Sequence, residues 1–409
     1  MMNGRERFQT AMRHEEPDRV PLFELAINNR VAKDILGRDV FLVGAGSTQK
    51  KALEVNMKGR EARRNLILQS TRDQLELFAK VGLDAAMIRT TDYLVTVYQA
   101  EQIGVNGIHN PKIEQIEENM WKTSHPDGFW TTYKYDDIND VLYLMDDNIK
   151  QGGYPELEKY VEYLESASLE INEPIADALE AYKLAVNSPE AKDMAILGHA
   201  DICYPCFLPF HTVFLEAMAE EQELAERFMA ATTEGMMVFL KAQLDLGVDG
   251  IVATNDWCYN MGPLMSPKMF DRFLAPYLQM LADECHRRGV PFIKHLDGNT
   301  KVILDSLVNY VGIDGLHAIE PPAGMDIGEL KTKYGDKITL LGNVDCAHTL
   351  VTGSKKDVAE EVKNIIRIAS PGGGHILSSS NSIHAGVPTE NFLVMLETAK
   401  KYGRYPISI

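Results

Sequence analysis

Basic charge is scarce in this chain: 41 Lys and Arg stand against 59 Asp and Glu, a formal net charge of −18. Nucleic acid and anionic membranes attract basic surfaces and repel acidic ones, so neither is an expected partner. Long apolar runs are missing as well, none reaching the ~20 residues of a membrane span. The opening MMNGRERFQTAMRHEEPDR carries no apolar signal region, which leads us to expect a cytoplasmic protein. Cysteine is thin, five residues spread over 409. An odd count at that density makes no disulfide framework and implies reduced thiols. No internal repeat and no low-complexity linker divides the chain. The remaining composition, 45% apolar and 24% charged, is that of a globular enzyme with a large core.

Eight short runs rich in Val, Ile, Leu and Phe recur with helical segments between most of them. They are Val20 to Leu25, Ala85 to Thr90, Ala195 to His199, Gly250 to Thr254, Pro291 to His295, Gly315 to Ile319, Lys337 to Leu341 and His375 to Ser379. Strands alternating with crossover helices predict an α/β fold, a (β/α)8 TIM barrel forming a single domain over residues 1–409. The intervening segments agree. Ser266 to Arg288 repeats Phe270, Phe273, Leu274, Tyr277, Leu278 and Leu281 at helical spacing, opening with Ser266-Pro267 and closing at Gly289. A second helix, Lys355 to Ile368, ends before the turn Pro371-Gly372-Gly373-Gly374.

Two stretches depart from the alternation. Residues from about 91 to 137 hold aromatics in short alternating runs with a His-Pro-Asp-Gly turn, which reads as an inserted hairpin region above the second strand. The acidic segment from about 155 to 185 reads as inserted helices with a solvated face.

Barrel enzymes build their chemistry at the C-terminal ends of the strands, so the residues just past each apolar run are informative. Those positions hold Glu24; Arg89 and Asp92; His199 and Asp201; Asn255-Asp256; His295-Leu-Asp297; Glu320; Asn343 with Asp345-Cys346; and Ser380-Asn381 near His384. Burying such groups unpaired is unfavourable by several kcal/mol, so a ring of them points to chemistry even where single members only pair with each other. In His295-x-Asp297 the two side chains share one side of a strand. They could ligate one metal ion with Cys346, Glu320 or His384, giving a zinc site of mixed N, O and S donors. Alternatively His295 acts as a general acid steadied by Asp297. Trp257 and Tyr259, directly after Asn255-Asp256, are expected to wall a substrate pocket. Tyr93, Tyr98, Trp121 and Trp130 also lie in segments above the strands. Cys203-Tyr-Pro-Cys206 has redox spacing but no second pair, and Gly372-Gly373-Gly374 has no P-loop lysine; both read as loops.

Taken in order, Asn3-Gly-Arg-Glu-Arg-Phe, Glu16-Pro-Asp-Arg-Val-Pro21, Gly262-Pro-Leu-Met-Ser-Pro267, His295-Leu-Asp-Gly-Asn299, Glu320-Pro with Gly324-Met-Asp326, Gly342-Asn-Val-Asp345, Ser378 to His384 and Pro388-Thr-Glu-Asn391 resemble the uroporphyrinogen decarboxylase superfamily over nearly the whole chain. Within it the chain resembles the corrinoid-dependent methyltransferases of the O-demethylating branch. The decarboxylases hold a polycarboxylate with an arginine-rich segment after the first strand, where Glu24-Leu-Ala-Ile-Asn-Asn-Arg30 offers Arg30 alone. The thiol-methylating branch binds zinc through His-x-Cys and a late cysteine, where this chain has Asp297 and the Asn381 region.

The resemblance therefore implies transfer of a methyl group from a small donor, an aryl methyl ether by preference, to the cobalt of a corrinoid (cobalamin) carried by a partner protein. His295 and Asp297 would supply a proton or hold zinc, with Cys346 as a further ligand. Glu320 and Asp256 would orient the donor, Asn343 or Asn381 would hydrogen-bond it, and Asn255, Trp257, Tyr259 and His199 would complete the pocket. The alternatives are the reverse transfer, from a methylated corrinoid protein to a thiol or folate, and a decarboxylation. The chain itself is expected as a monomer or homodimer.

Overall fold

The computed structural model describes residues 1–42, 44–90 and 110–409. Its centre is a parallel sheet in the order β1 (Ala85–Met87), β6 (Ala195–His199), β7 (Gly250–Ala253), β10 (Phe292–Leu296), β11 (Gly315–Ala318), β12 (Thr339–Leu341) and β13 (His375–Ile376). The segment around Leu22 closes the ring. Leu22 bridges Leu377 in parallel, Phe23 N–H donates to Leu377 O, Leu377 N–H donates to Pro21 O, and Asp84 N–H donates to Leu22 O. Pro21 has no N–H to add to this ladder, Leu22 N–H goes to Asp84 Oδ2 and Ser379 N–H to Glu24 Oε1, so the first apolar run makes a bridge and not a full strand. The other seven expected strands are all present, with ends moved by up to three residues.

Alternation along the strands divides the core in two. Ala85, Met87, Ala195, Leu197, Val252, Ile293, Leu341 and Ile376 point into the barrel, where Phe23 joins them and Phe8 and Ala11 of α1 (Gly4–Met12) plug the N-terminal end. The larger cluster lies between the outer face of the strands and the helices. Following the inward parity upward replaces apolar side chains by His199, Thr254, His295, His317 and Ser378, all buried. The barrel is thus dry below and polar at its mouth.

The expected helix Ser266 to Arg288 is two helices, Pro267–Phe273 and Ala275–Arg287. Pro276, lacking an N–H, interrupts the ladder and Leu274 takes φ −117°. Its start is as read, with the Ser266 hydroxyl accepting from Met269 N–H. The later helix runs Lys355–Ala369 from a Ser354/Asp357 capping box. In the turn after it Gly373 has φ +78°, and a Cβ there would meet Glu15 O at 2.5 Å, so only glycine fits.

Of the first excursion, β2 (Lys112–Glu117), β3 (Met120–Ser124), β4 (Trp130–Asp136) and β5 (Val141–Asp147) form an antiparallel meander. It runs on to Asp147, past the expected end near Asp137. Trp121, Tyr133 and Leu142 pack on Ala52 and Leu53, and Lys122 lies over the Trp130 ring, so these two tryptophans serve the meander. Tyr93, Tyr98 and Asp92 fall outside the described residues. The helices Tyr154–Ser166 and Glu173–Val186 follow, and their acidic composition is not all solvated: Asp177 is buried against Arg63 and Arg60. Among the described residues no helix is long and apolar enough to cross a membrane, and all five cysteines are free.

Candidate active site

Strands β7 and β10 are neighbours in register, so Asp256 beyond one and His295 and Asp297 at the end of the other converge. One ligand atom from each of these three lies within 4.8 Å of the others. Asp297 N–H donates to Asp256 Oδ1 at 2.8 Å, which fixes the two loops together. His295 Nε2 stands 3.3 Å from Asp297 Oδ1, yet that buried oxygen has no hydrogen-bond partner. An orphaned carboxylate oxygen beside a second carboxylate and an imidazole is an N,O,O donor set suited to a divalent ion.

The electrostatics fit a site whose charge is uncompensated. Burial first, and then repulsion from Asp297, push the Asp256 carboxyl well above the ordinary range, with Lys294 acting in the opposite sense. Burial also raises Asp297, against the hydrogen bond from Asn381 and the charge of Lys294. Glu320 is raised by burial and by Asp297; its Oε2 accepts from Gly298 N–H at 2.7 Å and its Oε1 from the Asn381 amide at 3.4 Å. His295 moves the other way, down to about 3, because burial and the charges of Lys294 and Arg89 disfavour imidazolium. At neutral pH the histidine is therefore neutral and any retained proton resides on the carboxyls. A neutral imidazole at this depth is better placed to offer a lone pair than to give up a proton.

Five expected residues thus gather at one mouth: Asp256, His295, Asp297, Glu320 and Asn381. The others are placed elsewhere. The third donor of the cluster is Asp256 and not Cys346, whose thiol accepts from the Ser380 hydroxyl and is pushed up to about 11 by burial, which keeps it protonated. Asn255 is a structural peg: its amide donates to Ile202 O and Tyr204 O, and its Oδ1 accepts from the Cys206 thiol. Trp257 is fully buried against Tyr204 and Phe270. Tyr259 is half exposed on the ribbon β8 (Cys258–Tyr259) and β9 (Gly262–Pro263), and its carbonyl accepts from Asn299 N–H. His199 lies deeper, bonded through Nε2 to the Thr254 hydroxyl at 2.9 Å. The Asn343 amide donates to Ile319 O, and His384 Nε2 meets Cys346 O.

Sequence reasoning passed over Lys294 and His317. Lys294 is fully buried on the outer face of β10. Its ammonium donates to Asp201 Oδ2 at 2.7 Å and to Asn255 O at 2.7 Å, and stands 4.3 Å from the Trp257 ring centre. A lysine inside the apolar run Pro-Phe-Ile-Lys-His was the available signal. His317 pairs in register with His295 on the adjoining strand, which counting inward positions from Gly315 would have found.

A family model for uroporphyrinogen decarboxylase (URO-D) matches residues 149–402. Among curated proteins, the uroporphyrinogen decarboxylase of Pseudoalteromonas atlantica is 27% identical over 173 residues, 41% of this chain and 46% of that one. That of Coxiella burnetii is 23% identical over 244 residues, 57% and 64% respectively. The chain thus matches only about half to two thirds of the length of these relatives. Among solved structures, a methyltransferase from Methanosarcina mazei superposes with a TM-score of 0.65 at 20% identity, covering 98% of this chain and 99% of that one, a likeness of fold.

Proposed function

The chain belongs to the uroporphyrinogen decarboxylase family, and within it we propose a methyltransferase that moves a methyl group from a small neutral donor, an aryl methyl ether by preference, to the cobalt of a corrinoid carried by a partner protein. The observation that carries this reading is the acidic mouth, where Asp256, Asp297 and Glu320 surround a neutral His295 and all three carboxyls are raised. Carboxyls raised by burial and mutual repulsion mark a place where further negative charge is unfavourable, which disfavours a polycarboxylate tetrapyrrole even with Arg89 acting on His295. Arg30, the candidate cation after the first strand, is bound to Ala385 O, Val387 O and Asp34 on the outside. Lys294 is held by Asp201.

An ether oxygen is a poor leaving group as an anion, so the transfer needs a proton or a Lewis acid at that oxygen. Asp256, Asp297 and His295 would hold a divalent ion such as zinc, which when bound supplies that Lewis acid. Glu320, its carboxyl raised, retains a proton more readily than an ordinary glutamate and can give it to the departing oxygen, while Asn381 keeps the carboxyl in place. Asp256 and Asp297, braced by the hydrogen bond between their loops, orient the donor without moving.

The test is to present methoxyaromatics and methylamines to the protein with cob(I)alamin, with and without added zinc, and follow methylcobalamin by absorbance. Metal content is measured on the same sample. Formation of methylcobalamin, lost in His295→Ala and Asp297→Ala variants that still fold, is the expected result. Absence of transfer from every donor, alongside release of carbon dioxide from uroporphyrinogen, would overturn the proposal in favour of the decarboxylase.

A further inference from the structure

Below the carboxylates, the polar layer of the barrel contains a contact that the proposed chemistry does not use. His295 Nδ1 lies 2.7 Å from His317 Nδ1, and His317 Nε2 lies 3.1 Å from the Ser378 hydroxyl. Both rings are buried, at 3% and 0% exposure, and the edge of Phe23 closes the far side of His317.

The proton positions follow from counting. A histidine that offers its Nε2 lone pair to a cation carries its one hydrogen on Nδ1, and a neighbour that accepts there carries its own on Nε2, where His317 faces the Ser378 hydroxyl. At 2.7 Å two facing N–H groups would collide and two facing lone pairs would repel, so one hydrogen lies between the Nδ1 atoms. If His295 owns it, His295 Nε2 is a bare lone pair at the mouth, and His317 carries its hydrogen on Nε2 and donates to Ser378. If His317 owns it, His295 Nε2 bears the hydrogen and should donate to Asp297. The first arrangement fits the contacts better: Asp297 Oδ1 stands 3.3 Å from His295 Nε2 and still has no hydrogen-bond partner. The approach is not a hydrogen bond, as expected where both atoms serve a shared ligand.

We infer that His317 is a positioning residue that holds His295 in the Nδ1–H tautomer, with Ser378 behind it, and so turns the His295 Nε2 lone pair toward a divalent cation between Asp256 and Asp297. The inference rests on the metal-assisted reading above. A ligating histidine commonly gives its other N–H to a carboxylate or a carbonyl; here the acceptor is a neutral imidazole. The layer therefore adds no negative charge beneath a mouth that already holds three carboxyls.

Two measurements test it. Long-range proton–nitrogen NMR spectra of the histidine rings report tautomers without any metal; His295 is expected as Nδ1–H and His317 as Nε2–H, and the opposite pair overturns the inference. Calorimetric titration with zinc or cobalt(II) gives the second readout. His317→Phe removes the acceptor and should weaken binding roughly 10- to 100-fold, the usual effect of losing such a partner. His317→Gln, whose carbonyl can still accept from Nδ1–H, should recover most of it and serves if the Phe variant does not fold. Unchanged affinity in His317→Phe would refute the role of His317 while leaving the metal reading intact. A wild-type protein that binds neither metal would remove the metal reading, and the tautomer spectra would still decide for or against the lock.

Discussion

Glu24 ends the first barrel segment fully buried, its Oε1 accepting from Ser379 N–H at 2.9 Å and its Oε2 from the Ser379 hydroxyl at 2.6 Å. Those two bonds do not offset desolvation, which pushes the carboxyl from 4.5 up to about 8. The folded state thus holds this proton more tightly than the unfolded chain. Below about 4.5 both states are protonated and the position is neutral for stability; as pH rises toward 8 the unfolded chain ionises first, and stability falls. At about 1.4 kcal/mol per pH unit the loss is on the order of 3 kcal/mol at pH 7 and about 5 kcal/mol once pH passes 8. Glu24→Gln keeps an oxygen for Ser379 N–H and an amide for its hydroxyl but has nothing to ionise. Urea unfolding at pH 5, 7 and 9 should therefore find the variant close to wild type at pH 5 and progressively more stable above it. A difference that stays flat with pH, or a variant weaker at pH 9, would refute the reasoning and mean that Glu24 is ionised beside an attractive partner.

Two further outcomes are expected. Lys294→Met leaves Asp201 buried without its cation and should lower stability by about 3–5 kcal/mol, with part recovered by adding Asp201→Asn, as read by thermal unfolding. Cation binding requires ionised carboxylates, so with Asp256 and Asp297 raised, zinc affinity should begin to fall as pH drops from neutral while still above the ordinary carboxylate range, whereas His295, held near 3, should not limit it; equilibrium dialysis between pH 8 and 5 checks this.

The barrel was legible because its signals are local. Each strand is a short apolar run, and each run ends where the chain turns polar at the mouth. The misread helix is also a local matter, since Pro276 stands in the sequence and the apolar spacing simply continues across it. The candidate site was legible in part for a related reason. His295 and Asp297 share a side of one strand by the two-residue period, and Asp256 lies beyond the end of the next strand in the sheet. Loop positions were not legible. Asn255 and Trp257 flank Asp256 in sequence but turn outward, one to cap main-chain carbonyls and the other to fill the space between sheet and helices.

By itself the sequence determined the class of fold, the end of the barrel where ionisable groups gather, and the acidic character that disfavours anionic partners, because periodicity and charge are properties of the chain. Only the tertiary structure decided which ionisable groups share a space. Asp256 joins His295 and Asp297 where Cys346 does not, Lys294 pairs with Asp201 across 93 residues, and His317 backs His295 from the neighbouring strand. These depend on strand register and loop direction. The same burial that brings the groups together sets their protonation, raising the carboxyls and holding the histidines neutral, so the chemistry of the mouth follows from its depth as much as from its residues.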